Sequence, residues 1–201
     1  MYKKKTIIIN RDCGIYDGLN VALDHTNGDV IGVLHSGDVF VSKDVTKIIM
    51  GYFNEDENLE IVWGNVRFSK LQENSSRRNI ERFWRSSEYR TGSLNYGWMP
   101  PHTSVFVRKN VLQENDIFYD KKYQISGDYD WIIKLFKASK KTKYIPICIT
   151  NMWPGGASNG SIAKQLKKFS EDYKILKKHD FKYPLLTATM KRVRKVKQYF
   201  R

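Results

Sequence analysis

Asn27-Gly28-Asp29-Val30-Ile31-Gly32-Val33-Leu34-His35-Ser36-Gly37-Asp38 is a turn, an apolar run and a carboxylate in direct succession. Asn-Gly-Asp interrupts whatever precedes it, and the aliphatic run from Val30 to Leu34 suits a buried strand. Ser36-Gly37-Asp38 then sets an acid immediately behind that strand. Ligands of open α/β sheets bind outside the carboxyl ends of strands, so Asp38 stands where a site is expected. A hard divalent cation on a diphosphate needs only one or two protein carboxylates, because phosphate oxygens and waters complete its octahedron. Ser-Gly-Asp is equally the composition of a plain turn. Both readings are open at this point.

Strand-like and helix-like segments alternate on either side of this stretch, the usual pattern of a mostly parallel sheet with helices on its faces. Thr6–Ile9 reads as a short buried strand. A helix over Gly14 to Asp24 would turn Ile15, Leu19, Ala22 and Leu23 inward. Ser42-Lys43-Asp44 opens a second helix with Val45, Ile48, Ile49 and Tyr52 on one face, and Leu59–Trp63 follows as a strand. Lys70 to Asn79 reads as a surface loop and Asn79 to Glu88 as a short helix. Asn95 to Pro101, with Gly97 and two prolines, is irregular and leads into a strand over Thr103–Val107. Asp128 to Ala138 fits a helix with Trp131, Ile132, Leu135 and Phe136 inward, Lys143 to Thr150 a strand, and Gly155 to Gly160 a loop. Two amphipathic helices, about Ile162 to Lys178 and Leu186 to Phe200, complete the chain. The expected organisation is one α/β domain over residues 1–160 and a basic helical tail over 161–201.

Composition narrows the class. With 201 residues, 41% of them hydrophobic and 13% aromatic, the chain has enough apolar material for one core. No apolar stretch approaches eighteen residues, so the chain is expected to be soluble or peripheral. Cys13 and Cys148 lack any metal-ligand spacing and read as small hydrophobes in a reducing cytoplasm. The formal net charge is +14, but it is unevenly spread: residues 164–201 carry thirteen Lys/Arg and three Asp/Glu, and the body is close to balanced. That distribution argues against a nucleic-acid-binding face over the whole molecule, and the tail has no aromatic-interleaved groove.

Further groupings carry candidate chemistry. In Ser126-Gly127-Asp128-Tyr129-Asp130-Trp131 two acids open a helix, either to cap it and meet its dipole or to supply a general base for an attacking hydroxyl. In Pro100-Pro101-His102-Thr103 a histidine enters a strand, either as a structural residue or as part of a site. Gly14-Ile15-Tyr16-Asp17-Gly18-Leu19-Asn20 begins a helix with glycines that would let backbone approach a phosphate. Gly155-Gly156 sits in the later loop.

Taken in order, these phrases resemble the family 2 glycosyltransferases, enzymes of the GT-A fold. The resemblance runs over about residues 6–160, through Asp12–Asn20, Asn27–Asp38, Pro101–Lys109, Gly127–Trp131 and Gly155–Ser158. It implies a GT-A-like mixed sheet flanked by helices, with a C-terminal helical extension. It implies that Asp38 holds Mg or Mn against the donor diphosphate and that Asp128 is the catalytic base of an inverting displacement. Gly14, Asp17, Asn20, Ser36 and Gly37 would lie on the donor, and His102, Asp130, Gly155 and Gly156 on the acceptor or diphosphate side. Gly37-Asp38 stands where many members have two acids. The family also opens with a strand, helix and strand that cradle the nucleotide, and this sequence begins after them, an N-terminal truncation that would leave a sheet edge for a partner chain or oligomer to cover.

The expected function is transfer of a sugar from a UDP- or dTDP-type nucleotide-sugar donor to a saccharide or lipid-linked acceptor in polysaccharide or glycoconjugate synthesis. The alternative is an inactive GT-A remnant that assembles with another transferase. In the tail, Met190, Val193, Val196 and Phe200 form an apolar stripe among six Lys/Arg. Residues 186–201 would lie on the inner face of an anionic membrane, or would pack the stripe on the body.

Overall fold

The structure, a computed structural model, describes residues 7–8, 14–71, 78–153 and 161–196. Its elements are α1 (Ile15–Asp24), β1 (Val30–Gly32), β2 (Val39–Phe40), α2 (Val45–Glu55), β3 (Ile61–Leu71), β4 (Arg78–Trp84), β5 (Val105–Arg108), α3 (Lys109–Glu114), α4 (Gly127–Ala138), β6 (Thr142–Met152), α5 (Ile162–Lys178) and α6 (Pro184–Val196). Short 3-10 turns at Ser93–Tyr96 and His102–Ser104 precede β5.

β3 is the axis of a six-stranded sheet. One of its edges runs parallel to β6 from Ile61↔Thr142 to Phe68↔Met152. Its other edge is shared, β5 pairing with Ile61–Trp63 and β4 with 66–71. β1 lies beyond β5 and β2 beyond β6. Only the β3–β6 pairing is parallel among the described residues, so the sheet is mixed and the expectation of a mostly parallel one fails. For the β3–β4 pair the cause is connection length, since too few residues separate them for a helical crossover.

The sheet is covered on both faces, as the near-continuous burial of Ile61, Val62 and Trp63 requires. Ile61, Trp63, Val105 and Val107 point into a large core shared with α1, α3, α4, α5 and α6. Val62, Phe106, Ile145 and Ile149 point into a smaller one beneath α2. Trp131, Ile132, Leu135 and Phe136 of α4 are all buried, as the helical spacing predicts. Ile175, Leu176, Phe181 and Ala188 belong to the large core, so no break in packing marks the expected boundary at 160/161.

Four local expectations are corrected. Of the strand expected over Thr6–Ile9, Ile7 and Ile8 are outside any strand and exposed, and Thr6 and Ile9 lie outside the described residues. Residues 78–84, expected as loop and helix, form β4, because the open edge of β3 beyond Trp63 offers a ladder that outweighs local preference. α1 buries Tyr16, Asn20 and Leu23, leaving Ile15 and Ala22 outside, since the Tyr16 ring stacks on Tyr119 at 5.8 Å and takes the inward position. α2 buries Val45, Ile49 and Phe53 with Ile48 exposed, a stripe at strict four-residue spacing.

Candidate active site

Asp38 is presented by a tight turn between β1 and β2. Its backbone N–H donates to the His35 carbonyl at 3.0 Å, and Gly37 takes the positive φ of 87° that this turn requires. β2 pairs with the C-terminal end of β6, and beyond it the Trp153 N–H donates to Asp38 Oδ1 at 3.1 Å. The other oxygen, Oδ2, is buried without a hydrogen-bond partner among the described residues. Burial pushes the Asp38 carboxyl above its ordinary pKa, against the Trp153 N–H, the His35 charge and the His35 backbone, which pull it down. A lone acceptor oxygen of this kind fits a cation ligand. Among the described residues no group of three or more His, Cys, Asp or Glu suited to a metal is present; a hard cation held by one carboxylate can take its other ligands from phosphate and water.

From Asp38 the site continues through two imidazoles. The His35 and His102 rings stack with centroids 5.6 Å apart. His102 lies in the 3-10 turn before β5, where Nε2 shares a 2.7 Å hydrogen bond with the Tyr119 hydroxyl and the ring meets the edge of Trp131. Its Nδ1 has no partner among the described residues. Burial lowers the His102 pKa to about 4, with Asp128 opposing and His35 adding to the shift, so the ring is neutral at neutral pH.

Asp128 is the second residue of α4. Ser126 holds the N-cap position, so Asp128 is not the cap, and its Oδ1 accepts the neighbouring Tyr129 N–H at 2.8 Å. The carboxylate is half-buried. Burial works against its charge, but Lys168, His102, Lys191 and Lys195 outweigh it and hold its pKa below the usual carboxylate value. The loop before it is pinned from α5: the Glu171 carboxylate accepts the backbone N–H groups of Gln124, Ile125 and Ser126 at 3.1, 2.9 and 2.9 Å. From α1, the Tyr16 hydroxyl donates to the Ile125 carbonyl at 2.8 Å, and its ring lies so close to Gly127 that any Cβ there would stand 2.7 Å from it.

Other expected site residues have different occupations. Asp130 is fully buried and paired with Lys134, Lys178 and His179 at 2.8, 3.0 and 2.9 Å. Residues two apart on a helix do not share a face, and the Asp130 carboxylate is spent on joining α4 to the end of α5 rather than on an acceptor. Asn20 is also spoken for: its amide donates to the Tyr119 carbonyl at 2.9 Å and its oxygen accepts the Tyr119 N–H at 2.8 Å, so it clamps backbone instead of facing a donor. Asp17 pairs with Lys121. Gly14 is the exposed N-cap of α1, and Ser36 and Gly37 are exposed in the Asp38 turn. Gly155 and Gly156 lie outside the described residues.

His35, Glu171, Lys168, Lys191 and Lys195 join the site without having been singled out from sequence. His35 lay inside the decisive phrase. The lysines carried the signal of paired i, i+4 spacing with Asp172 on α5 and with each other on α6, hidden in a run of like charge.

No protein-family model matches the chain. It is similar, at 23% identity over 172 residues, to the PGL/p-HBAD biosynthesis glycosyltransferases of Mycobacterium bovis and Mycobacterium tuberculosis; the match covers 81% of this chain and 60% of theirs. Among solved structures, residues 1–349 of S. aureus TarS superpose with a TM-score of 0.55 at 12% identity, over 94% of this chain and 73% of that one. The same protein in complex with UDP-GlcNAc gives 0.55 at 10% identity, over 94% and 74%. The fold is GT-A-like, a mixed α/β sheet with flanking helices shared with TarS, and the similar sequences are named glycosyltransferases.

Proposed function

We propose that the chain is part of a family 2, inverting glycosyltransferase that moves a sugar from a UDP- or dTDP-type donor to a saccharide or lipid-linked acceptor. The observation that carries this reading is Asp128: a carboxylate at the start of α4 held below the usual carboxylate pKa and acting on His102, whose ring stacks on His35, which in turn acts on the Asp38 carboxyl with its orphaned oxygen. In the proposed step the acceptor hydroxyl oxygen forms a bond to the anomeric carbon as the bond to the donor diphosphate breaks. Asp128 takes the hydroxyl proton, and the nucleoside diphosphate leaves with the bonding pair. A carboxylate of low pKa is a weak base, which suits a proton that departs late, once the attacking oxygen has become acidic. His102, buried and hydrogen-bonded to the Tyr119 hydroxyl, is neutral at neutral pH, and its positive charge acts on Asp128 only on acidification. Mg or Mn would be held by Asp38, and its chemistry there would be to neutralise charge on the leaving diphosphate.

The setting proposed is polysaccharide or glycoconjugate synthesis at the cytoplasmic membrane face. Among the described residues no helix is long and apolar enough to cross a membrane. Against the expectation that the tail packs its stripe on the body, α6 buries Thr187, Ala188 and Lys191, while Leu185, Leu186, Val193 and Val196 are more than half exposed beside its basic residues. That arrangement supports contact with an anionic lipid surface.

Calorimetry with UDP and UDP-GlcNAc in the presence of Mn, together with donor hydrolysis, tests the reading. Asp38→Ala should abolish Mn-dependent UDP binding. Asp128→Asn should leave UDP binding intact and lower transfer or hydrolysis by about a hundredfold or more. Undetectable nucleotide binding by the unmodified chain would instead support an inactive fold that assembles with another transferase.

A further inference from the structure

Helices α5 and α6 line an open-mouthed cavity of about 230 Å³ formed by Gln165, Lys168, Asp172, Lys191, Arg192 and Lys195. Lys168 and Asp172 are one turn apart on α5, Lys191 and Lys195 one turn apart on α6, so each helix contributes a neighbouring pair to the same space. The charges do not cancel. Asp172 is committed to Lys191 at 2.9 Å, and the Lys191 ammonium also sits 3.3 Å from the centre of the Tyr129 ring. Arg192 donates to the Gln165 carbonyl at 2.6 Å and lies over Phe169. Lys168 and Lys195 have no carboxylate within ion-pair distance among the described residues. Burial first, then the charges of Lys168 and Lys191, push the Lys195 pKa down to about 7. Four cations line this space, and the acids that act on them are Asp172 in the lining and Asp128 beside it, so positive charge remains in excess, which an anion would offset.

The location says which anion. Lys191 of the cavity stands over the ring of Tyr129, the residue after Asp128, and the charges of Lys168, Lys191 and Lys195 act on Asp128, whereas the charge acting on Asp38 is that of His35. The cavity is smaller than the roughly 300–1,000 Å³ of pockets that engulf a drug-sized ligand, so it suits a head group rather than a whole nucleotide-sugar.

We propose that this cavity binds a phosphoryl group, a phosphate or phosphodiester carried by the acceptor, and so holds the acceptor hydroxyl at Asp128. The inference rests on the glycosyltransferase reading above. A phosphoryl group could also arrive on the donor as its diphosphate, and the test separates the two sources. Titration calorimetry is run on the full chain with sn-glycerol 3-phosphate and, separately, with UDP and Mn. The proteins are the unmodified chain, Lys168→Gln, Lys195→Gln and, as a control on the exposed side of α5, Lys174→Gln. Thermal melts of each exclude loss of folding as the cause of lost binding.

Glycerol 3-phosphate is expected to bind the unmodified chain and Lys174→Gln, and to lose about tenfold or more in affinity in the two cavity variants. UDP affinity should stay within about twofold in all four, and saturating UDP and Mn should not displace glycerol 3-phosphate. No binding to the unmodified chain, or equal binding by the cavity variants, overturns the proposal. Displacement by UDP, with UDP affinity lost in the same variants, overturns the acceptor assignment in favour of the donor diphosphate. Lysine-dependent glycerol 3-phosphate binding in a chain that binds no nucleotide leaves the anion site standing and removes the transferase reading instead.

Discussion

Replacing Glu171 tests how the base is positioned. Its carboxylate is the acceptor for three consecutive backbone N–H groups that lead directly into Gly127-Asp128. In Glu171→Ala these donors lose their partner at once. The Ser126 donor is buried, Ile125 half-buried, and Gln124 close enough to solvent to find water. An orphaned buried donor costs about 1–3 kcal/mol, so two of them set the expected loss at about 2–6 kcal/mol, toward the lower end because Ile125 is only half-buried. Glu171→Gln keeps the volume and one oxygen, which can still face Ile125 and Ser126. It gives up the charge and turns an amide toward Gln124, and about 1–2 kcal/mol is expected. Urea unfolding followed by tryptophan fluorescence reads both values. In Glu171→Gln, which stays folded, sugar transfer should fall while Mn-dependent UDP affinity holds, because the slackened loop is on the Asp128 side of the site. A Glu171→Ala protein within about 0.5 kcal/mol of the unmodified chain would refute the reasoning, since ordinary surface substitutions fall in that range.

The His102 pKa of about 4 lies below the roughly 6.5 of an unfolded histidine, so its neutral form stabilises the fold fully above pH 6.5 and that contribution is lost as pH falls toward 4. The shift corresponds to about 3 kcal/mol at most; comparing urea unfolding of His102→Gln with the unmodified chain at pH 7 and pH 4.5 checks it, the variant losing less stability on acidification. Gly97 has φ 69°, and a Cβ there would stand 2.3 Å from the Lys191 backbone nitrogen. Gly97→Ala should therefore push α6 off the 93–96 turn and cost about 2–4 kcal/mol, visible as a lowered Tm and loss of the Thr187 hydroxyl bond to Asn95 by exchange of the Thr187 region. Vesicle sedimentation should show the chain on phosphatidylglycerol but not phosphatidylcholine, with Val193→Asp releasing it; equal binding to both lipids would count against α6 as the contact.

Much of the fold was legible because burial period and strand chemistry agree within single elements. The α4 stripe of Trp131, Ile132, Leu135 and Phe136 is an instance, and so is the run Ile61-Val62-Trp63, buried on both faces. What failed depended on partners distant in the chain. Residues 78–84 have no strong local preference, and only the free edge of β3 decides for β4. Tyr16 displaces Ile15 from the inner face of α1 because Tyr119 and the Ile125 carbonyl are there to receive it. The same distinction separates the acids. Asp128 and Asp130 look equivalent in Gly-Asp-Tyr-Asp-Trp, yet the positions of Lys178 and His179, some fifty residues on, turn the second into a buried tie between helices.

Charge in the last forty residues was visible as an excess, and read along the chain it suggests a solvated tail. In space it is divided. Lys191 is buried against Asp172 and Tyr129, Lys178 closes on Asp130, and the charges of Lys168 and Lys195 act on Asp128. Burial alone would raise the Asp128 carboxyl pKa; Lys168 of α5, His102, and Lys191 and Lys195 of α6 reverse the direction. The helices that bring the basic excess thus favour the ionised form of Asp128. A general base that depends on cations for its charge is also weakened by them, and an anionic acceptor entering the lysine cavity would relieve that effect. Binding the phosphoryl group would raise the Asp128 pKa toward the ordinary value as the acceptor hydroxyl arrives, coupling the strength of the base to the presence of its substrate.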